Sequence, residues 1–171
     1  MKIREYLKRH IGVIFTVSGL MLIMAQPATA GRTDIWPHEL KPYGSGDIGI
    51  GTLSEALAAT RQAFYWVSAT SASSAKLMAP VKMPVGKEIT SLSINAYSAS
   101  VTTLRVTLYR SKLGGLIQKV AEIEKIGSYV PDWYSTNSID LPAIKKGFKY
   151  WVDVYIENGT VLLSGIRIGY R

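Results

Sequence analysis

The sequence predicts an all-β protein, an antiparallel β-sandwich of jelly-roll type, on the basis of three observations. From residue 76 onward, apolar and polar residues alternate with a period of two, which is typical of strands with one buried face. These segments are short and are separated by glycine, proline, serine and asparagine. Each has one apolar face, as expected where two sheets pack together. The predicted apolar faces are Leu92, Ile94 and Ala96; Leu104, Val106 and Leu108; Phe148, Tyr150, Val152, Val154 and Ile156; and Leu162, Ile166, Ile168 and Tyr170.

Weaker alternation predicts three further strands, at residues 77–82, 116–123 and 136–141. Between the last two, Trp133 and Tyr134 follow a Pro-Asp pair, which favours a loop there.

Residues 1–30 have the features of a signal peptide. Four basic residues precede an apolar stretch at residues 11–24, and Ala28-Thr-Ala30 offers a small-x-small cleavage site. The apolar stretch is shorter than the roughly 20 residues of a membrane-spanning helix. We therefore expect export to the periplasm or the medium, with no membrane span after the signal is removed.

Charge and cysteine content exclude several functions. Of the 20 basic and 12 acidic residues, four and one respectively lie in residues 1–30, so the rest of the chain carries 16 basic and 11 acidic residues, a net charge of +5. These bases are scattered and form no stripe for a phosphate backbone, so nucleic acid is not an expected partner. The chain has no cysteine, which excludes thiol catalysis, disulfides and thiolate metal sites.

Residues 31–51 are predicted to be a flexible N-terminal arm, because prolines and glycines interrupt any regular element there. Residues 52–171 then form the sandwich domain. Thr52 and Glu55 have capping-box spacing and predict one short helix, with an extended lead-in to a strand at residues 64–69 as the alternative.

The last two strands are predicted to form a hairpin. A three-residue loop at residues 158–160 keeps the apolar residues of both strands on one face, whereas a two-residue turn does not. This register sets Val152 opposite Ile166 and, on the polar face, Trp151 opposite Arg167.

Four segments resemble a recurrent β-sandwich domain of exported bacterial proteins of unassigned function. They are residues 79–86 (Ala-Pro-Val-Lys-Met-Pro-Val-Gly), 89–92 (Ile-Thr-Ser-Leu), 104–110 (Leu-Arg-Val-Thr-Leu-Tyr-Arg) and 165–170 (Gly-Ile-Arg-Ile-Gly-Tyr). The resemblance covers about residues 65–170 and implies the fold and the compartment, but no activity. Similar domains often carry an aspartate where this chain has Ser98, so a ligand role is not transferred to that position.

The residue types needed for catalysis are sparse. His38 is the one histidine after residue 30, and it lies beside a proline in the arm, without a nucleophile motif. The carboxylates Asp132, Asp140, Asp153 and Glu157 show no spacing that predicts a catalytic pair. No motif for a metal or a cofactor is present, and Asp132, Asn137 and Asp140 are better explained as turn formers than as a calcium site. The sequence therefore predicts no enzyme and no cofactor.

The richest feature is the polar face of the predicted strands, because it carries large aromatic residues. Three interpretations stay open: a platform on which sugar rings stack, a cross-strand contact of Trp151 with Arg167, and a face covered by Trp36 and Tyr43 of the arm. The candidate ligand-binding residues are Arg105, Tyr109, Trp151, Asp153, Tyr155 and Arg167.

We therefore predict a non-catalytic binding module whose partner is a glycan or another cell-envelope polymer. The alternative is a structural subunit that self-associates through its arm, in which the alternating segment 47–51 adds as a strand to a neighbouring sheet.

Overall fold

The predicted fold class is confirmed: the chain forms a β-sandwich of two antiparallel sheets. The computed structural model describes residues 30–43, 48–52, 65–69, 74–158 and 161–171. Within these ranges, a 3₁₀ turn at Pro37–Glu39 accompanies the strands. The strands are β1 (Gly31–Ile35), β2 (Lys41–Pro42), β3 (Ile48–Thr52), β4 (Tyr65–Ala69), β5 (Ala75–Val81), β6 (Ile89–Lys112), β7 (Gln118–Thr136), β8 (Phe148–Ile156) and β9 (Val161–Tyr170).

Two long strands, β6 and β7, run through both sheets. The second half of β6 pairs with β8 and with the first half of β7, which gives a first sheet in the order β2-β5-β8-β6-β7. The first half of β6 pairs with β9 and with the second half of β7, and β9 continues to β1, β4 and β3. The ribbon changes register between Ser98 and Thr102, opposite Gly127. Gly127 has a φ of 110°, which L-residues with side chains rarely adopt, so glycine permits this bend.

The core lies between the sheets and uses the predicted alternation. Leu92, Ile94 and Ala96 are buried from the second sheet, and Leu104, Val106 and Leu108 from the first. Tyr150, Val152, Val154 and Ile156 of β8 are buried against them, so these faces are confirmed.

The prediction for β9 is wrong at Leu162. Val161 and Leu163 are buried instead, and Ile166 and Ile168 are buried as predicted. The reason is a bulge: Asn95 pairs with Gly165, but Ala96 pairs with Leu163, so Ser164 is passed over. One extra residue moves every later side chain to the opposite face.

The predicted hairpin of the last two strands is also wrong. Strand β8 has β5 on one side and β6 on the other, so both of its edges are occupied. Strand β9 lies in the second sheet, where it pairs with β6 and β1. Trp151 therefore lies opposite Tyr109 and Pro80, not Arg167.

Two local predictions in β7 differ from the structure. Trp133 and Tyr134 are strand residues paired with Asn95 and Ile94, not a loop pair. The strand ends at Thr136, so residues 137–141 form a loop, whereas the predicted strand at residues 116–123 corresponds to the start of β7.

Much of the predicted arm is built into the sheets. Strand β1 pairs with β9 over five residues, Lys41 and Pro42 pair with β5, and β3 pairs with β4. Thr52 ends β3, and the rest of the predicted helix, like the predicted signal peptide up to residue 29, lies outside the described residues. In the described ranges, no helix has the length and apolarity needed to cross a membrane.

Candidate functional site

The outer face of the first sheet carries five of the six predicted site residues, arranged in three rows. Because Leu104, Val106 and Leu108 fill the core, the residues between them on β6 point outward, and the same holds for β8. Strand register aligns each row across β5, β8, β6 and β7. The rows are Lys76, Tyr155, Arg105 and Glu124; Met78, Asp153, Thr107 and Glu122; and Pro80, Trp151, Tyr109 and Lys119.

Tyr109 and Trp151 form a stacked aromatic pair. Their ring centroids are 5.8 Å apart with an interplanar angle of 26°, and both side chains are half-buried. They are cross-strand partners, a position that favours aromatic contacts. The second aromatic contact of this face is Tyr155, whose ring lies 5.5 Å from the guanidinium carbon of Arg105.

A cleft of about 330 Å³ lies between these two aromatic groups. That volume is at the lower end of the range for small-molecule sites. Its floor is Thr107, which is buried and donates a 2.9 Å hydrogen bond to Oε2 of Glu122. We call this cleft the aromatic cleft. It is lined by Tyr43, Lys76, Arg105, Thr107, Tyr109, Glu122, Asp153 and Tyr155.

Trp151 borders the aromatic cleft through Tyr109 and also lines a second cavity. This cavity has a volume of about 910 Å³ and lies between β1 and the ends of β5 and β8. Trp151 therefore lines this cavity and stacks on Tyr109, which lines the aromatic cleft.

Tyr43 is the residue of the predicted arm that reaches this face. Its hydroxyl donates a 2.5 Å hydrogen bond to Oδ2 of Asp153, and its backbone N–H donates to the carbonyl of Lys76. Desolvation raises the pKa of the Tyr43 phenol well above its ordinary range, and the hydrogen bond and negative charge of Asp153 raise it further. The arm thus supplies one wall of the aromatic cleft.

The raised pKa of Tyr43 predicts a loss of stability at alkaline pH. The folded state holds the phenol proton more tightly than the unfolded state, so this contribution is complete below the pKa of an unfolded tyrosine, about 10, and is lost as pH rises above it. The stability difference between the wild type and Tyr43→Phe should stay constant from pH 7 to 9 and shrink at pH 10.5 to 11. Urea denaturation at each pH measures it. A difference that does not change with pH would contradict this assignment.

Arg167 is not part of this face. Its Nε donates to Oδ1 of Asp34 at 2.8 Å, and its guanidinium carbon lies 4.2 Å from the centroid of the Trp133 ring. Asp34 also binds Nε of Arg32 at 3.1 Å. The predicted contact of Trp151 with Arg167 is therefore wrong, because the two residues belong to different sheets.

The structure brings together five of the six predicted residues and adds four that were not among the candidate ligand-binding residues. Thr107 carried a usable signal, because it alternates with core residues in a predicted strand, and Lys76 lies directly before the strand predicted at residues 77–82. Glu122 falls in the weakly predicted strand at residues 116–123, but nothing in the sequence relates it to Thr107. Tyr43 was expected only as part of an arm that covers this face, and the structure places it there, hydrogen-bonded to Asp153 at a separation of 110 residues in sequence.

The metal-ligating residues are dispersed: within the described part of the chain, no three histidine, cysteine, aspartate or glutamate residues come together as a metal group. His38 lies in the exposed 3₁₀ turn. The two carboxylates of the aromatic cleft are already engaged, Asp153 by Tyr43 and Glu122 by Thr107 and Lys119.

Comparison with solved structures identifies similar sandwiches. The C-terminal CBM6 of the marine laminarinase LamC from Zobellia galactanivorans has a TM-score of 0.50 at 12% identity, covering 81% of this chain and 98% of that one. The mannan-recognising carbohydrate-binding module TmCBM27 has a TM-score of 0.50 at 12% identity, covering 84% and 99%. The likeness establishes the fold.

Sequence comparison adds nothing to this assignment. No protein-family model matches the chain, and no curated protein matches it. The resemblance to exported bacterial domains of unassigned function stays a prediction.

Proposed function

We propose that this protein is an exported, non-catalytic module that binds a glycan in the aromatic cleft. The observation that carries the proposal is the stacked pair of Tyr109 and Trp151 beside Asp153 and Arg105. A pyranose presents an apolar C–H face and a rim of hydroxyls. Aromatic rings match the first, and a carboxylate and a guanidinium match the second.

The geometry favours a glycan chain over a single sugar. Tyr109 lines the aromatic cleft and Trp151 lines the larger cavity, so the stacked pair forms a ridge between two hollows. A chain that crosses this ridge occupies both hollows, whereas a monosaccharide fills the smaller one alone. Affinity should therefore rise with chain length.

The state of the two carboxylates supports a binding role rather than hydrolysis. A glycosidase needs one carboxyl group free to protonate the leaving group and another free to activate water or attack. Asp153 and Glu122 each accept hydrogen bonds from neighbouring side chains, which suits fixed acceptors for sugar hydroxyls.

The rival assembly function receives less support. The assembly hypothesis requires residues 47–51 to add as a strand to the sheet of a neighbouring molecule. Most of this segment belongs to β3, which pairs with β4 of its own chain over residues 48–52. We therefore place glycan binding first.

The test is a glycan panel of neutral and acidic envelope polysaccharides, followed by calorimetric titration of oligomers of increasing length. Trp151→Ala should weaken binding roughly tenfold or more, because it removes both stacking and buried apolar area. The matched control is Trp133→Ala, which removes a tryptophan from the other sheet and should leave affinity unchanged. Equal affinity of the wild type and Trp151→Ala would move the site away from this face, and a folded protein that binds no glycan would refute the proposal.

A further inference from the structure

The tip of the β6–β7 hairpin exposes three large aliphatic side chains. Leu113 is 99% exposed, Leu116 is 87% exposed and Ile117 is 66% exposed. They are nearly consecutive and project beyond the last residues of both strands. Single exposed apolar residues are common on protein surfaces, but a contiguous group at a protruding tip usually marks a contact site.

The backbone holds this tip in a defined turn. The N–H of Gly115 donates a 2.8 Å hydrogen bond to the carbonyl of Lys112, and Gly114 has a φ of 71°. The turn therefore presents Leu113 and Leu116 on either side of two glycines.

These three side chains lie outside the hydrophobic core that the described residues form. The same end of the sandwich is closed by Arg110, Ile144 and Tyr150, which are buried, with Phe148 packed against them. Replacing the tip residues therefore leaves the core intact, so any effect on binding can be separated from folding.

Lysines surround the tip. Lys112 and Lys119 flank it on the hairpin, and Lys149 lies beside Ser111 on the adjoining strand. Lys145 and Lys146 lie in the exposed turn just before Phe148, the cross-strand partner of Lys112.

Acidic residues are sparse near the tip, and residues 111–121 contain none. The first on β7 is Glu122, which offsets only Lys119, at 3.6 Å, and Asp140 is the nearest in the loop that packs on β7.

We propose that this hairpin tip binds the surface of an anionic phospholipid bilayer. The aliphatic side chains enter the boundary between headgroups and acyl chains, and the surrounding lysines contact anionic headgroups. Apolar insertion and electrostatic attraction together are what interfacial membrane binding requires. The lysines distinguish a bilayer from an apolar groove on a protein, which needs no ring of positive charge. This proposal does not depend on glycan binding, because the tip lies outside the aromatic cleft.

Vesicle cosedimentation tests the proposal with the purified protein. Vesicles of equal parts phosphatidylglycerol and phosphatidylcholine should bind the wild type, and vesicles of phosphatidylcholine alone should bind it several-fold less. The triple variant Leu113→Ser, Leu116→Ser, Ile117→Ser should lose at least about tenfold in partitioning. Lys112→Gln should lose about fivefold on anionic vesicles, and its effect should vanish at high salt.

Val101→Ser is the matched control. Val101 is 77% exposed but lies at the bend of β6, roughly 35 Å along the strand from the tip. It should leave partitioning unchanged. All variants carry the same N-terminus, so any contribution of the apolar residues 11–24 is common to them.

A second measurement reports insertion directly. The chain has no cysteine, so Leu116→Cys and Val101→Cys can each be labelled at one position with an environment-sensitive dye. Anionic vesicles should shift the emission of the label at position 116 to the blue and leave that at 101 unchanged. No binding to anionic vesicles, or equal binding of the triple variant, would overturn the proposal. So would a tip-dependent self-association in sedimentation velocity without vesicle binding, because a second copy would then occupy the tip.

Discussion

Arg110→Met should lower the free energy of unfolding by about 3 kcal/mol, because it removes a buried cation that holds one end of the sandwich together. Arg110 is only 4% exposed and lies on the core side of β6. Its Nε donates to Oε1 of Gln118 at 3.0 Å, and its Nη1 donates to the carbonyl of Ala143 at 2.9 Å. The guanidinium carbon also lies 4.9 Å from the centroid of the Phe148 ring.

Methionine fills much of the arginine volume but donates no hydrogen bond, so both acceptors lose a bond from a charged group. The loop at Ala143 is the element that should loosen. The backbone N–H of Lys145 also donates a 3.2 Å hydrogen bond to the Tyr150 hydroxyl at the same loop. Loss of the Arg110 bond should make the loop open locally before the core unfolds.

Urea denaturation of Arg110→Met measures the loss, with Arg171→Met as the control. Arg171 is exposed and forms a 3.6 Å ion pair with Glu88, so its loss should cost no more than about 0.5 kcal/mol. Hydrogen exchange of the amides in residues 143–148 should rise in Arg110→Met alone. Equal stability of the two variants would show that Arg110 is not a structural anchor.

The alternation of residues was enough to predict the strands that remain regular. In β8 the phase persists from Tyr150 to Ile156, and burial follows it. In β9 the bulge at Ser164 reverses the phase, and no residue type at that position announces it. The prediction extended the phase of Ile166 and Ile168 back across this bulge, and it therefore assigned Leu162 to the wrong face.

The sequence predicted where the strands lie better than it predicted which strands pair. The Asn158-Gly pair indicates a turn, and the prediction took that turn to join two neighbours in one sheet. Strand β9 instead belongs to the other sheet, and β8 is paired on both edges with β5 and β6. Such pairing depends on contacts that are distant in sequence, which local patterns do not encode.

The same division explains the candidate site. Outward positions on β6 and β8 follow from alternation, so Arg105, Tyr109, Trp151, Asp153 and Tyr155 were found. Arg167 was included because the wrong hairpin placed it beside Trp151. Tyr43 was missed as a site residue because nothing local relates a tyrosine after Lys41-Pro42 to a carboxylate on β8.

Tyr43 also makes Asp153 the sharpest test of how a glycan is held. Asp153 lies at the centre of the middle row, between Met78 and Thr107. One of its oxygens accepts the Tyr43 hydroxyl, and its remaining lone pairs are available to hydroxyls in the aromatic cleft. Under the proposed function, the carboxylate is the main acceptor for the sugar.

Asp153→Asn should therefore weaken glycan binding by roughly tenfold or more, since it removes the charge and turns one acceptor into a donor at nearly constant volume. Asp140→Asn, at an exposed loop position, should leave affinity unchanged.

Because Asp153→Asn also weakens the contact with Tyr43, the two roles must be separated. Tyr43→Phe does this: it keeps the Asp153 charge, frees its second oxygen and should change affinity less than threefold. Titration of all three variants with one oligosaccharide decides the matter. If Tyr43→Phe loses as much affinity as Asp153→Asn, the ligand depends on the wall that Tyr43 forms, and Asp153 serves only to hold that wall in place.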